Sequence, residues 1–321
     1  MNPKLALHLP IMGQMADSFT VYGVERSTAE KIELASQVKG LDGLEMVYPF
    51  EFEDVEEVKR LLKAYDLECA TVNVNVKAEA KFHRGSFTSP DPEVRAEAVR
   101  YLKEGMDVAA AMGCYIATVC PLADGHDYPF EVDYRQAWKW LREGIAEAAQ
   151  YRSDVKVSLE YKSSEVRTHV VPSRAGVALH LCHQIGLSNL GITLDFGHAL
   201  VAGETPAQVV ALLAEAGRLF LIHISDNYRD SDWEMVPGTV NFWDLLETLL
   251  YLDEVGYEGW IVADGFHTRL DPVKAADLAL KTVQTDLLLL KKIGVEELWR
   301  LIRAGDVPDT FTYVQDKLLD S

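Results

Sequence analysis

Four residues that can bind a metal ion follow one another in the second half of the chain, each near the end of a short apolar run. They are Glu160 in VKVSLEY, Asp195 in LGITLDF, His223 in RLFLIHIS and Asp264 in GWIVADG. Taken singly, such an acid commonly caps a helix, and a lone histidine is commonly just hydrogen-bonded. Three carboxylates aimed at one point, however, repel one another unless a cation neutralises them. The set predicts a divalent metal site, whose oxygen-rich donors favour Mn, Mg or Co.

A second group of potential ligands lies beside the first. His198 follows Asp195 by three residues, and Asp230 and Asp232 form a D-x-D pair after His223. These residues could hold a second ion, with Asp195 bridging the two. The alternative interpretation of the D-x-D pair is a solvated acidic turn. We therefore predict one metal site and leave a second one open.

Lys162 lies two residues after Glu160, so on a strand the two side chains point the same way. An ammonium group there can hydrogen-bond a substrate carbonyl oxygen and stabilise negative charge as it develops. The alternative is an ion pair between Lys162 and Glu160 or another acid. His267, three residues after Asp264, is a candidate for a substrate contact or a hydrogen bond within its loop.

The elements that must position these residues are eight apolar runs separated by segments of helical periodicity. The runs cover residues 4–9, 43–48, 69–76, 114–120, 155–161, 190–196, 218–225 and 259–265. Such alternation predicts a single (β/α)8 TIM barrel of the α/β class, in which polar strand ends meet at one mouth. A doubly wound sheet is disfavoured because no GxGxxG turn follows the first run. We assign residues 1–294 to the barrel. We expect residues 295–321 to form a C-terminal helical extension packed on the barrel or on a neighbouring subunit.

Composition limits the partners of the chain. The 321 residues are 48% hydrophobic and carry a formal net charge of −19, which disfavours nucleic acid and anionic membranes. The four cysteines form no CxxC pair, so we expect buried thiols in a reducing compartment. The N-terminus lacks the pattern of a signal peptide, and no apolar run reaches about 18 residues. The sequence therefore predicts a soluble, cytoplasmic protein.

These residues resemble the metal site of the xylose isomerase-like barrel superfamily, which includes xylose isomerases, rhamnose isomerases and ketose 3-epimerases. The order of Glu160, Asp195, His223 and Asp264 is similar to the order of that family's ligands on its fifth to eighth strands. The stretch FHRGSFTSPDPEVRAEAVRYLKEGMDVAAAMGC at 82–114 looks like the family's loop and helix before the fourth strand. The resemblance covers most of the chain. It implies a metal-dependent enzyme that acts on a small sugar.

Within the superfamily, the motifs look most like those of the two-metal aldose-ketose isomerases. The shared features are the E-x-K of Glu160 and Lys162, the D-x-x-H of Asp195 and His198, and the D-x-D pair. The stretch DGFHTRLDP is similar to the rhamnose isomerase type. Ketose 3-epimerases use glutamates on the fifth and eighth strands, whereas this chain has Asp264 in the second place. The resemblance therefore favours an isomerase.

The resemblance also implies roles for individual residues. Lys162 contacts O1 of an open-chain aldose, and a water on a second ion, held by Asp230 or Asp232, takes the O2 proton while the C2 hydrogen moves to C1 as a hydride. The predicted catalytic residues are Glu160, Lys162 and Asp232. The predicted substrate contacts are His8, Lys162, His198, Trp233 and His267. The segment VYPFEFED lacks the histidine that opens the sugar ring in xylose isomerases, and His8 is its candidate substitute.

Other functions stay open at this point. A ketose 3-epimerase, or a lyase or dehydratase acting on a keto-sugar or an inositol derivative, would use the same metal site. A sugar-binding barrel without catalysis is the non-enzyme alternative. The abasic-DNA endonucleases that share the barrel are excluded by the −19 charge and by missing histidines on the early strands. By analogy with relatives, we expect a homodimer or homotetramer.

Overall fold

Eight parallel strands close into a barrel in the computed structural model, which describes residues 3–16, 19–165, 167–265 and 268–319. In chain order the strands are β1 Lys4–His8, β2 Gly43–Tyr48, β3 Glu68–Val74, β4 Ile116–Val119, β5 Lys156–Glu160, β6 Leu190–Asp195, β7 Leu219–Ile224 and β8 Trp260–Ala263. Each strand pairs with its neighbours in sequence, and β1 pairs with both β2 and β8. The predicted (β/α)8 barrel is confirmed, and each strand falls within or beside a predicted run.

Helices surround the barrel. They are α1 Thr28–Ala35, α2 Val55–Ala64, α3 Pro92–Met112, α4 Tyr134–Tyr151, α5 Ala175–Ile185, α6 Phe196–Val201, α7 Pro206–Glu215, α8 Phe242–Glu254, α9 Pro272–Ile293, α10 Val295–Ala304 and α11 Val307–Leu319. Two small sheets that the sequence did not predict lie in the loops. One pairs Met15–Ala16 with Val21–Tyr22, and the other has three strands, Gly125–His126, Thr168–Val170 and Ser164–Glu165. No helix in the described ranges is both long and apolar enough to cross a bilayer.

Helix α3, the longest helix on the N-terminal side of Glu160, shows how local sequence sets the ends of these elements. Its side-chain cap is Asp91, which accepts a hydrogen bond from the Glu93 amide, and Pro92 occupies the first turn. The helix ends at Gly113, whose φ of 79° is in the left-handed region. A Cβ on Gly105 would lie 2.4 Å from Cγ2 of Val74, so this glycine lets α3 approach β3 closely. The α3 helix therefore packs closely on the outer face of β3.

The inward-facing positions of the strands explain where the polar residues gather. Because side chains alternate along a strand, residues two apart share the interior of the barrel. Further from the C-terminal mouth, Ala6, Ala70, Leu221 and Val262 form a small apolar cluster inside the barrel. Beside it, Ser158 and Thr193 are hydrogen-bonded through their hydroxyl groups at 2.7 Å. Two residues further along their strands, toward the C-terminal mouth, lie His8, Glu160, Asp195, His223 and Asp264.

The C-terminal helices α10 and α11 pack on α8 and α9 of the same chain. Trp299 makes an edge contact with Tyr251, with ring centroids 5.0 Å apart, and Phe311 makes one with Trp243 at 5.7 Å. The Tyr313 hydroxyl donates a hydrogen bond to the carbonyl of Ile293. The division of the chain after residue 294, and contact of this extension with a neighbouring subunit, stay predictions.

Candidate metal centre and active site

The four predicted ligands of the first metal ion come together at the mouth of the barrel. One donor atom from each of Glu160, Asp195, His223 and Asp264 lies within 4.8 Å of the others. His223 Nδ1 is 3.3 Å from Asp264 Oδ2 and 3.6 Å from Glu160 Oε1. The side chain of His223 is fully buried, and those of Glu160 and Asp195 are nearly so. Three carboxylates and one imidazole nitrogen thus converge on one small volume.

A buried carboxylate on β2 orients the imidazole of His223. Glu45 is fully buried and lies 3.0 Å from His223 Nε2 and 2.9 Å from His8 Nδ1. Asn73 donates a further hydrogen bond of 3.0 Å to Glu45. Burial alone would raise the pKa of Glu45, but His223 and His8 outweigh it and hold the pKa well below its usual range. Because Nε2 of His223 interacts with Glu45, its Nδ1 faces Glu160 and Asp264.

That nitrogen provides the test of whether a cation fits. His223 Nδ1 is buried and makes no hydrogen bond in the described part of the chain. A buried polar atom without a partner costs free energy, and a carboxylate that accepts a bond from the opposite nitrogen is the usual support of a metal-binding histidine. Burial and the neighbouring acids Asp232 and Glu160 also raise the pKa of Asp195 to about 6, although His198 and His223 oppose the rise. Both features suit a divalent cation held by Glu160, Asp195, His223 and Asp264.

Beside this cluster, three charged residues form a connected chain. His198 Nε2 is 3.1 Å from Asp232 Oδ2, and the same oxygen is 2.9 Å from Lys162 Nζ. His198 Nδ1 is 3.0 Å from the carbonyl oxygen of Tyr161 and 3.2 Å from Glu160 Oε1. Lys162 also pairs with Glu165. Although burial would raise the pKa of Asp232, Lys162 and His198 hold it well below its usual range, so the carboxylate stays ionised.

The start of α6 fixes the position of His198. Asp195 caps this helix by accepting a hydrogen bond of 2.8 Å from the His198 amide. Gly197 lies between them, and a Cβ there would come within 2.3 Å of Ser225 Oγ on the chain after β7. The D-F-G-H segment therefore requires its glycine so that α6 can pack against β7, and this packing keeps His198 beside Glu160.

The loop after β7 differs from the sequence-based expectation. Asp230 is exposed and accepts a hydrogen bond of 2.7 Å from the indole of Trp233, outside the metal cluster. The side chain of Trp233 is 53% exposed. Asp232 faces the site, whereas its predicted D-x-D partner does not. The carboxylate that joins it is Glu234, because the left-handed backbone at Glu234, with φ 46°, changes the direction of the loop.

The other predicted substrate contacts are His8, His267, Lys162 and His198. His8 is partly buried at the end of β1, where burial lowers its pKa but Asp264 and Glu45 raise it to a net value of about 9. His267 lies outside the described residues. Lys162 and His198 line the site directly. Of the predicted set, the structure therefore brings His8, Lys162 and His198 to the mouth.

Sequence reasoning missed Glu45 and Glu234. The signal for Glu45 was present, because a single carboxylate stands inside the otherwise apolar run GLEMVY and must find buried partners. Glu234 carried no comparable signal, since its place depends on the path of an irregular loop. Its carboxyl lies among Asp232, Asp264 and Lys162, and burial, reinforced by the two aspartates, raises its pKa to about 8.

A cavity of about 450 Å³ opens above the cluster and is large enough for a small polar molecule. Its floor includes Glu160, Asp264 and His198, and its walls carry both polar and apolar groups. The walls include Asn73, Lys77, Phe50, Cys120, Lys162 and Glu234. The site can hold a cation, bind hydroxyl groups through several donors and acceptors, and shelter the bound molecule from water.

Solved structures share this fold. The D-allulose 3-epimerase of Methylomonas sp. superposes with a TM-score of 0.71 at 18% identity, over 88% of this chain and 97% of that one. An L-ribulose 3-epimerase gives 0.71 at 16% identity, over 91% and 98%. The 3-keto-D-glucoside 4-epimerase of E. coli gives 0.66 at 20%, over 88% and 100%. At these identities the likeness is one of fold.

Sequence similarity points to the same group of sugar enzymes. The xylose isomerase of Thermus thermophilus is 31% identical over 211 residues, which are 63% of this chain and 54% of that protein. The chain thus spans about half the length of the curated relatives it matches. The sequence profile of the family described as xylose isomerase-like TIM barrel matches residues 32–287, which is most of the chain. This chain therefore belongs to the xylose isomerase-like TIM barrel family.

Proposed function

We propose that this protein is a divalent-metal-dependent isomerase that interconverts an aldose and a ketose. The observation that carries the proposal is the contact of 2.9 Å between Lys162 Nζ and Asp232 Oδ2, directly beside the four-ligand cluster. An aldose-ketose exchange must remove a proton from O2 and deliver one to O1. A linked acid and base can do both within one site.

Glu160, Asp195, His223 and Asp264 are assigned to the first ion, for which Mn, Mg and Co are the candidates. When bound, a divalent cation supplies Lewis-acid polarisation of neighbouring sugar oxygens. A second ion stays a prediction that depends on His198 and Asp232, without Asp230. The cavity suits the open-chain form of a small sugar, with Lys162 and Glu234 in its wall and Glu160, Asp264 and His198 at its floor.

The chain's own residues account for the proton movements. Asp232 Oδ1 is buried and makes no hydrogen bond in the described ranges, so it is free to accept the O2 proton. Lys162 donates its proton to O1 as the C2 hydrogen moves to C1 with its electron pair. The contact between Asp232 Oδ2 and Lys162 Nζ then returns the proton to the lysine. At the end, C2 carries the carbonyl, C1 carries two hydrogens, and both side chains regain their starting charge.

One observation favours ketose epimerisation as a second candidate. Glu234 lies in the cavity with a pKa raised to about 8, chiefly by burial, so it can hold a proton near neutral pH. An epimerase needs one group to remove a proton from carbon and another to return it on the opposite face. Glu160 and Glu234 are the candidates for these two groups.

Proton NMR in D2O distinguishes the two reactions. The Mn-loaded protein is incubated with a panel of aldoses and ketoses, and the products and their deuterium content are followed at C1, C2 and C3. Aldose-ketose conversion with little deuterium at C1 supports the isomerase. Deuterium at C3 indicates epimerisation instead, and a panel without any conversion contradicts both proposals.

Two substitutions in one loop test the roles of the residues. Asp232→Asn removes the proposed proton acceptor and should lower kcat by about 100-fold or more, the usual contribution of acid-base catalysis. Asp230→Asn makes the same change two residues earlier, on the exposed surface, and should leave kcat within about 3-fold of wild type. Equal losses in both variants would restore the predicted D-x-D pair, and a kcat of Asp232→Asn within about 3-fold of wild type would contradict the assignment to Asp232.

A further inference from the structure

Two thiols lie side by side at the end of the barrel opposite the metal centre. Cys69 is the second residue of β3, and Cys114 lies between the end of α3 and the start of β4. Their sulfur atoms are 3.8 Å apart, and Cys69 donates its proton toward Cys114. Both cysteines are reduced. The other two, Cys120 and Cys182, are buried elsewhere, in the cavity wall and in α5.

The backbone brings the two thiols together. Cys69 and Cys114 each lie three residues before Val72 and Ala117, which face each other on the paired strands β3 and β4. A tight turn holds Cys114 in place, because its amide donates a hydrogen bond of 3.1 Å to the carbonyl of Ala109. The two sulfur atoms, now 3.8 Å apart, must approach by about 1.8 Å to reach the length of an S–S bond.

We propose that Cys69 and Cys114 are a modification site at which peroxide forms a reversible disulfide bond. The hydrogen bond from Cys69, together with backbone contacts, lowers the pKa of Cys114, although burial opposes this. A thiol with a lowered pKa and some exposure is the preferred target of peroxide. Cys114 is partly exposed, whereas the side chain of Cys69 is buried. Cys114 is therefore the residue that reacts first, and Cys69 is its partner.

A surface groove of about 600 Å³ reaches Cys69, and the neighbouring Cys114 is itself partly exposed. Cys69, Met112 and Gly113 line it together with Lys59 and Lys63. Gly113 has no side chain to close the groove over the neighbouring Cys114. The groove lies at the N-terminal end of the strands, so oxidation does not require entry into the sugar cavity. The proposal is therefore independent of the reaction that the metal centre performs.

The chemistry balances with one equivalent of hydrogen peroxide. The Cys114 thiolate attacks one peroxide oxygen, an S–O bond forms and the O–O bond breaks, which yields a sulfenic acid and, after protonation, water. Cys69 then attacks the sulfur of Cys114. The S–S bond forms, the S–OH bond breaks, and the hydroxyl leaves as a second water with the Cys69 proton. Two thiols are oxidised by two electrons and one peroxide is reduced.

Mass spectrometry tests the proposal on the intact protein. The reduced chain is treated with hydrogen peroxide, quenched with catalase, denatured and alkylated with N-ethylmaleimide. We expect two alkylated cysteines instead of four and return to four after reduction with dithiothreitol. We also expect a bond between the tryptic peptides 64–77 and 104–135, which fragment ions assign to Cys69 and Cys114 and not to Cys120. Four alkylated cysteines after treatment, a bond that involves Cys120 or Cys182, or a sulfinic acid on Cys114 with Cys69 still free would each overturn it.

Single substitutions provide the matched controls. Cys69→Ser and Cys114→Ser should abolish the peroxide-dependent loss of two thiols, while Cys182→Ser, at a buried site in α5, should leave the Cys69 to Cys114 bond intact. The wild-type peptide map decides the outcome even if a serine variant folds poorly. In the oxidised wild-type protein the bond should also raise the Tm by a few degrees, because it closes a loop across α3. A peroxide-dependent loss of two thiols that persists in Cys114→Ser would contradict the assignment.

Discussion

Glu45 should govern the affinity of the metal centre without touching the ion. Its carboxylate lies 3.0 Å from His223 Nε2 and 2.9 Å from His8 Nδ1, and it is fully buried. Glu45→Gln keeps the shape of the side chain but removes its charge. The amide has one oxygen that can accept a bond from His223, and its NH2 group cannot accept one from His8. His223 therefore becomes a less basic and less well oriented ligand.

The expected size of the effect follows from these contacts. Loss of an outer partner of a metal ligand typically lowers metal affinity by about 10-fold to 100-fold. Because the glutamine oxygen still accepts the bond from His223, the losses are the charge and the contacts of Glu45 Oε1 with His8 and Asn73. We expect Mn²⁺ affinity to fall by about 30-fold, or about 2 kcal/mol of binding free energy. Oxygen donors from Glu160, Asp195 and Asp264 keep binding measurable.

Isothermal titration with Mn²⁺ measures this loss directly. The matched control is Glu51→Gln, which neutralises another buried carboxylate at the same mouth. Glu51 pairs with Lys31 and accepts a hydrogen bond of 2.8 Å from the Val47 amide, away from His223. Circular dichroism and Tm establish that both variants are folded. An Mn²⁺ affinity of Glu45→Gln within about 3-fold of wild type, or equal to that of Glu51→Gln, would refute the reasoning.

Three further predictions concern the metal ligands and a buried acid in α9. Excess Mn²⁺ at about 100 times its Kd should add about 2.7 kcal/mol to the unfolding free energy, and removal by EDTA should reverse the gain in a thermal melt. Glu160→Gln and Asp195→Asn should abolish this gain and all metal-dependent turnover while leaving the circular dichroism spectrum intact. A normal Mn²⁺ response in either variant would contradict the assigned ligands. Burial raises the pKa of Asp286 to about 6, and one of its carboxylate oxygens is buried without a hydrogen-bond partner among the residues that the structure describes. An acid whose pKa is higher in the folded state stabilises the fold at low pH, and that contribution is lost as pH rises from about 4 through 6. Asp286→Asn should therefore raise the unfolding free energy by about 1 kcal/mol at pH 7.5 and by little at pH 4, as urea titrations at both pH values will show. A gain of the same size at both values would exclude titration of Asp286 as the cause.

Much of the fold was predictable because its signal is local. The eight apolar runs alternate with amphipathic segments, and this pattern leaves few architectures other than a closed parallel barrel. Strand ends were less certain: the predicted run 190–196 ends at Asp195 in the structure, since Phe196 already begins α6. The short strand pairs in the loops were missed because two or three residues carry too little periodicity to detect.

The gathering of four candidate metal ligands at one mouth of the barrel was also predictable from the sequence. Glu160, Asp195, His223 and Asp264 lie at or just beyond consecutive strand ends, and the barrel requires neighbouring ends to meet. Period-two alternation likewise placed Lys162 beside Glu160, and their side chains both face the cavity. In each case the regular geometry of a strand decides the direction of the side chain, so the order of residues is enough.

The sequence by itself thus determined the barrel and the chemical nature of its mouth, because both follow from short-range periodicity and from the repeat of strand and helix. Only the tertiary structure decided which acids contact the residues at that mouth and which face solvent. Asp230 points outward and Glu234 inward because of an irregular loop, and Glu45 reaches His223 across the barrel over 178 residues of sequence. The pairing of Cys69 with Cys114 is of the same kind. Such contacts join residues that are distant in the chain, and their geometry depends on packing that no local pattern encodes.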